Sequence, residues 1–173
     1  MKKLIAFIAV NTIFFSTIVY AGIYNIEKQN ERIAAMQATE DINKAIQCLA
    51  LNIYFETHAI SMADAMAVSD VVMNRVEHSY YPNEVCDVIQ QGYKKGSNVC
   101  QFSWYCDGKA DNPTNHEAWE RSRKYARDFY VHGLYVGITE GSTHYHAHYV
   151  KPYWAPTLDR VTRIGSHIFY RMK

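Results

Sequence analysis

The stretch Thr143-His144-Tyr145-His146-Ala147-His148-Tyr149 decides the fold class. It alternates strictly, so successive side chains point to opposite faces of a strand. Part of Arg163–Tyr170 alternates in the same way, and the two read as paired strands. Upstream the period is helical. Ala45 to Glu56 carries Ile46, Leu49, Ala50 and Ile53 on one side, with Tyr54 and Phe55 adjoining. A second helix is predicted over Met62–Glu77, opened by the capping-box-like pair Ser61 and Asp64, with Ala65, Val68, Val72 and Val76 on one face. A third, Asn115 to Val131, carries Trp119, Ala126 and Phe129 and stops at Gly133. Between them, Val85–Gln91 reads as a short helix or turn, Gly92–Val99 as a basic loop, Gln101–Tyr105 as a short strand, and Asp107-Gly108 as a turn. Helices first and strands last predict an α+β domain.

The N-terminus has a different character. Lys2 and Lys3 precede the uncharged run Leu4–Ala21, which closes on Val19-Tyr20-Ala21 before Gly22. Those flanks describe a cleaved signal peptide. The run also sits at the lower edge of what spans a bilayer, so an uncleaved anchor is the second reading. The lysines and the terminal position argue against a buried core helix. Residues 22–44 contain a polar, helix-friendly stretch that reads as a linker, and 45–173 as the functional domain. Export fits the four cysteines, Cys48, Cys86, Cys100 and Cys106, whose even count predicts two disulfides in any of three connectivities. A zinc site is the weaker reading, because no CxxC pair is present.

Composition narrows the function classes. Lys+Arg 18 against Asp+Glu 17 gives a formal net charge of +1, which excludes a nucleic-acid protein built on a basic surface. Apolar residues at 49% are enough for a core, and the 14 tyrosines suit core walls and polar ligand clefts alike.

Four places are candidates for chemistry. Glu56 follows Ile53-Tyr54-Phe55 at the end of an apolar helix; a carboxyl against aromatic walls loses hydration of its charged form and can hold its proton near neutral pH, as a general acid must, the other reading being a solvated Glu at a helix C-terminus. His144, His146 and His148 share one strand face and suit zinc, a hydrogen-bonding cleft wall, or a merely exposed strand. Gln101-Phe102-Ser103-Trp104-Tyr105-Cys106-Asp107 alternates polar and aromatic groups, and Asp107 is either a second carboxylate or a turn former. Asn74-Arg75 near a helix end is either substrate-holding or structural.

The blocks Cys48-Leu-Ala-Leu-Asn-Ile-Tyr-Phe-Glu56, Ala67-Val-Ser-Asp-Val-Val-Met-Asn-Arg-Val76, Tyr81-Pro-Asn-Glu-Val-Cys86, Cys100-Gln-Phe-Ser-Trp-Tyr-Cys-Asp-Gly108, Thr143-His-Tyr-His-Ala147, Pro152-Tyr-Trp-Ala155 and Ile164-Gly-Ser-His-Ile-Phe-Tyr-Arg171 occur in order. Together they resemble the SleB/CwlJ-type cell wall hydrolase family, spore-cortex-lytic-like enzymes, and the exported or tethered N-terminus resembles that of a bacterial envelope enzyme or a phage endolysin with its own signal. The resemblance implies a lysozyme-like helical half with a small antiparallel sheet. It also implies cleavage of the β-1,4 bond between N-acetylmuramic acid and N-acetylglucosamine, by the route of a lytic transglycosylase, with Glu56 as the single catalytic glutamate. One departure stands out: the family continues Glu-Ala-Arg-Gly-Glu where this chain has Glu56-Thr57-His58-Ala59-Ile60.

The expected substrate-binding residues are Asn74, Gln101, Phe102, Ser103, Asp107, His144, Tyr145 and His146, with peptidoglycan strands as the partner, no cofactor and no metal. The chain is expected to be exported as a monomer to the periplasm, the envelope or the medium, its N-terminal segment engaging the membrane or export machinery. The rival readings are a muramidase-type hydrolase using Glu56 and Asp107, a zinc amidase using His144 and His146, and a non-catalytic wall-binding module.

Overall fold

The computed structural model describes residues 2–93 and 100–173, with nothing said of the side chains of 2–19 and 21. The signal-segment reading therefore rests on side chains that are not described, apart from Tyr20, and most of the basic loop lies outside the described residues. Among the described residues no helix is long and apolar enough to cross a membrane. The chain forms two compact units, Met1–Ile42 and Asn43–Lys173. Helix α1 (Lys2–Thr57) supplies the first unit and reaches into the second. In the first unit the described side chains, Tyr20 and those of residues 22–42, are all exposed.

The second unit is built around α2 (Met62–Val76). Ser61 is its N-cap, accepting from the Asp64 N–H at 3.3 Å. Asp64 does not close the capping box, because its carboxylate is used elsewhere: Oδ1 accepts from the Ser166 N–H (3.0 Å), the Ser166 hydroxyl (3.0 Å) and His167 Nδ1 (3.1 Å). The single apolar face expected of α2 is also too narrow. Ala65, Met66, Val68 and Val72 pack among the helices with Leu49 and Ile53 of α1, Val88 of α3 (Val85–Ile89) and Phe129 of α4 (His116–His132). Ala67 and Val71 pack on the other side against Phe169. A helix covered on both sides buries apolar residues on two faces, and the polar residues it also buries, Asp64, Ser69, Asp70 and Arg75, need partners there.

Helix α4 starts on Asn115, whose side chain accepts from the Ala118 N–H at 3.0 Å, and stops at Gly133 with φ +65°. The sheet is three-stranded and antiparallel in the order β1-β3-β2, from β1 (His144–Ala147), β2 (Asp159–Ile164) and β3 (His167–Arg171). The alternating run Arg163–Tyr170 is thus not one strand. It folds back at Gly165-Ser166 into two. Gln101–Tyr105 is not a strand either: Ser103–Cys106 is a 3₁₀ turn, closed by a Cys100–Cys106 disulfide that holds the segment too short to extend. The other disulfide joins Cys48 of α1 to Cys86 of α3.

Gly165 and Gly133 both have positive φ, but differ in what surrounds them. A Cβ at Gly133 meets nothing within 4 Å, whereas one at Gly165 would enter the Asp64 carboxylate. Gly133→Ala should therefore cost only the left-handed backbone penalty, about 1–2 kcal/mol. Gly165→Ala should cost about 3 kcal/mol, since Asp64 must also leave Ser166 and His167. Denaturant unfolding of both variants checks this, and equal losses would contradict the clamp.

Candidate active site

Glu56 lies in the last turn of α1, partly buried. The chain reverses directly behind it. Thr57 Oγ1 donates to Ile53 O at 2.8 Å and accepts from the Ala59 N–H at 3.1 Å. His58 and Ala59 take φ of +54° and +48°, conformations that a glycine adopts without strain. Arg121 Nε holds the Ala59 carbonyl at 3.2 Å. The family's glycine-containing loop is thus replaced by two strained residues held from α4.

The carboxylate's partner comes from the sheet. The Tyr145 hydroxyl donates to Glu56 Oε2 at 3.0 Å. Burial pushes the Glu56 pKa above the ordinary glutamate value, and the Tyr145 hydrogen bond with the charges of His167 and Arg75 offsets only part of that rise. Burial and the neighbouring Glu56 hold Tyr145 well above the usual phenol value, so it remains a donor. The site therefore favours the protonated form of the carboxyl, with one hydroxyl to orient it.

Helix α2 sets the position of β1. Asp70, 1% exposed, accepts from the Gly137 N–H at 2.7 Å and the Thr139 N–H at 2.9 Å. Asn74 Nδ2 donates to Thr139 Oγ1 (3.0 Å) and Ser142 O (2.9 Å), and Arg75 Nε donates to Thr143 O at 2.8 Å. These bonds hold the loop that leads into Tyr145. Asn74 thus acts on the loop rather than standing open in a cleft.

His144 and His146 sit on the strand face opposite Tyr145. Both rings lie 5.6 Å from Trp154, and His146 stacks on Tyr170 at 5.2 Å. His146 uses Nδ1 on Ala147 O (2.9 Å) and Nε2 on the Tyr170 hydroxyl (2.9 Å), and His144 Nδ1 meets Thr143 Oγ1 at 3.0 Å. With both ring nitrogens of His146 engaged, this pair is a poor donor set for zinc. Burial and the Arg75 charge lower the His144 pKa. His148 is exposed, with Nδ1 on Ser166 O at 3.1 Å.

The remaining candidates divide. Ser103 and Asp107 line a cleft of about 390 Å³ with Phe55 and His58, which flank Glu56 in the chain, and with Trp104. Phe55 and Trp104 stack at 4.8 Å, and Trp104 Nε1 donates to Asn52 Oδ1 at 3.1 Å. Asp107 accepts from the Lys109 N–H at 2.9 Å and pairs with its Nζ at 3.2 Å. These lower its pKa, the backbone hydrogen bond foremost. Gln101 is exposed. Phe102, 2% exposed, belongs to the core, its ring 5.1 Å from the Arg75 guanidinium.

A helical core carrying a buried acid at a helix end, faced by a small antiparallel sheet, defines a lysozyme-like α+β enzyme. The model of the cell wall hydrolase family matches residues 61–170, beginning just past Glu56, and the chain belongs to that family. It is a peptidoglycan-degrading enzyme. Among solved structures it is similar to the catalytic domain of the germination-specific lytic transglycosylase SleB from Bacillus anthracis, at 25% identity and TM-score 0.56, over 73% of this chain and 93% of that one. The catalytic domain of the Bacillus cereus SleB protein has the same fold, at 23% identity and TM-score 0.55, over 75% and 91%. No curated protein matches the chain in sequence.

Proposed function

We propose that the enzyme cleaves the β-1,4 bond between N-acetylmuramic acid and N-acetylglucosamine as a lytic transglycosylase, with Glu56 as its one acid–base group. The observation that carries this reading is the buried Glu56 carboxyl, raised in pKa and held by the Tyr145 hydroxyl. Glu56 gives its proton to the glycosidic oxygen as that bond breaks, and positive charge develops at the muramic C1. The carboxylate then takes the proton of the C6 hydroxyl, whose oxygen bonds to C1 and closes a 1,6-anhydro ring. The proton that left Glu56 is thereby replaced, and no water or second carboxylate enters.

Asp107 supports the single-acid route by what occupies it. Its carboxylate caps the turn before Lys109 and stays ionised there. Asp107→Asn should keep most of the activity, within about tenfold of wild type, whereas a working second carboxylate would cost about 10²–10⁴-fold. Turbidity loss of purified cell wall measures both, and a collapse at Asp107 would favour the hydrolase.

The substrate also locates the enzyme. Lys2, Lys3 and the uncharged run after them act as an export signal, residues 22–44 as a linker, and 45–173 work in the envelope or outside the cell. The supporting facts are the envelope polymer that the family degrades and the two disulfides.

A further inference from the structure

Arg75 is 4% exposed, and no carboxylate among the described residues forms an ion pair with it. Its guanidinium carbon lies 5.4 Å from the Tyr81 ring centroid and 5.1 Å from that of Phe102. Nε is spent on Thr143 O, and one terminal nitrogen, Nη1, is buried without a hydrogen-bond partner. A buried cation with no counter-ion costs several kcal/mol unless something nearby becomes negative. The groups in reach of its charge are Glu56 and Tyr145, with Tyr81 and His144.

We propose that Arg75 is a positioning residue of the reaction: a fixed cation, clamped between Tyr81 and Phe102 and tied to the strand that carries Tyr145, which stabilises the Glu56 carboxylate formed when the acid gives up its proton. The placement fits that task better than direct contact would. A guanidinium paired with Glu56 would ionise it in the resting enzyme and remove the acid. With burial alone the conjugate base would be too unstable to form readily. Burial therefore keeps the proton on before reaction, and the offset charge favours the anion as it develops.

Three elements face Glu56 with polar or charged groups: Tyr145 from β1, His167 from β3 and Arg75 from α2. Tyr145 stays neutral. His167, held by Asp64, adds charge only when protonated. Arg75 is charged at every working pH. His144, also within reach of Arg75, is held toward its neutral form and adds no competing charge.

The proposal rests on Glu56 being the acid, and the test separates the two. The alkaline limb of kcat/KM against pH, measured on soluble glycan-strand fragments, reports loss of the proton from Glu56. Arg75→Lys keeps the charge and should leave that limb near its wild-type position. Arg75→Gln removes it, so the Glu56 pKa rises, the limb moves to higher pH by about one unit, and kcat falls about 10–10²-fold. A limb unmoved in a folded Arg75→Gln enzyme overturns the proposal, leaving Arg75 as a tie to Thr143 alone. Should Arg75→Gln fail to fold, the wild-type limb is compared at about 0.05 M and about 0.5 M salt. A buried cation is little screened, so a fixed limb supports the proposal and a limb that shifts with salt overturns it. An active Glu56→Gln enzyme would instead dispose of the reading on which it rests.

Discussion

Glu56→Gln should remove nearly all lytic activity while the fold and binding to the wall persist. The amide occupies the carboxyl's volume and still accepts the Tyr145 hydroxyl, so the 3.0 Å contact survives. What it lacks is a proton to give and a charge with which to take one back. Loss of a positioned general acid costs about 10²–10⁴-fold, and here one group serves both transfers, which puts the expected loss at the upper end. Relative to wild type, the same variant should gain stability as pH rises. The Glu56 pKa is raised in the folded state, so its contribution is full below the ordinary glutamate value, about 4.3, and is lost as pH rises through the folded value. Glutamine has no such loss. The Tm of Glu56→Gln relative to wild type should therefore increase across that window, and a difference that shrinks would contradict the raised pKa. Asp64 titrates alike in both proteins and cancels.

Opening the Cys48–Cys86 disulfide by a double change to alanine should cost about 4 kcal/mol, against about 2 kcal/mol for Cys100–Cys106. The difference follows from loop length: the first closes a sequence separation of 38, the second of 6. A longer loop removes more freedom from the unfolded chain. The first bond also acts on the site, since Cys48 lies two turns before Glu56 on α1 and fixes that helix against α3. Denaturant midpoints of the two double variants test the order, and a larger loss at Cys100–Cys106 would contradict it.

Much of this was legible in the sequence because local signals agreed with the fold. Ser61, Asn115 and Gly133 mark helix ends by their own hydrogen bonding and backbone freedom, and all three act as caps. Glu56 stood out because a carboxyl after Ile53-Tyr54-Phe55 has nowhere wet to go on that face. The misreadings have physical causes. Alternation in Gln101–Tyr105 imitates a strand, but a disulfide over so short a loop forces a 3₁₀ turn. Gly165 interrupts the alternating run, and only the docking of Asp64 beneath it makes that interruption a reversal. Asp64 reads as half of a capping box, and no local pattern reveals partners a hundred residues on. Tyr145 and the histidines beside it show their parity in sequence, but which parity meets Glu56 depends on the way the sheet lies on α2. Arg75 near a helix end is ordinarily solvated, and its burial comes from Tyr81, past the helix end, and from Phe102, farther along the chain.

The most direct measurement is mass analysis of the muropeptides that the wild-type enzyme releases from purified peptidoglycan. Attack by the C6 hydroxyl leaves 1,6-anhydro-muramic ends, one water lighter than hydrolysed ends, and the single-acid site around Glu56 predicts these. Release of reducing muramic ends would contradict the transglycosylase route while leaving Glu56 as the acid; release of free stem peptides from intact glycan would contradict glycosidic cleavage altogether.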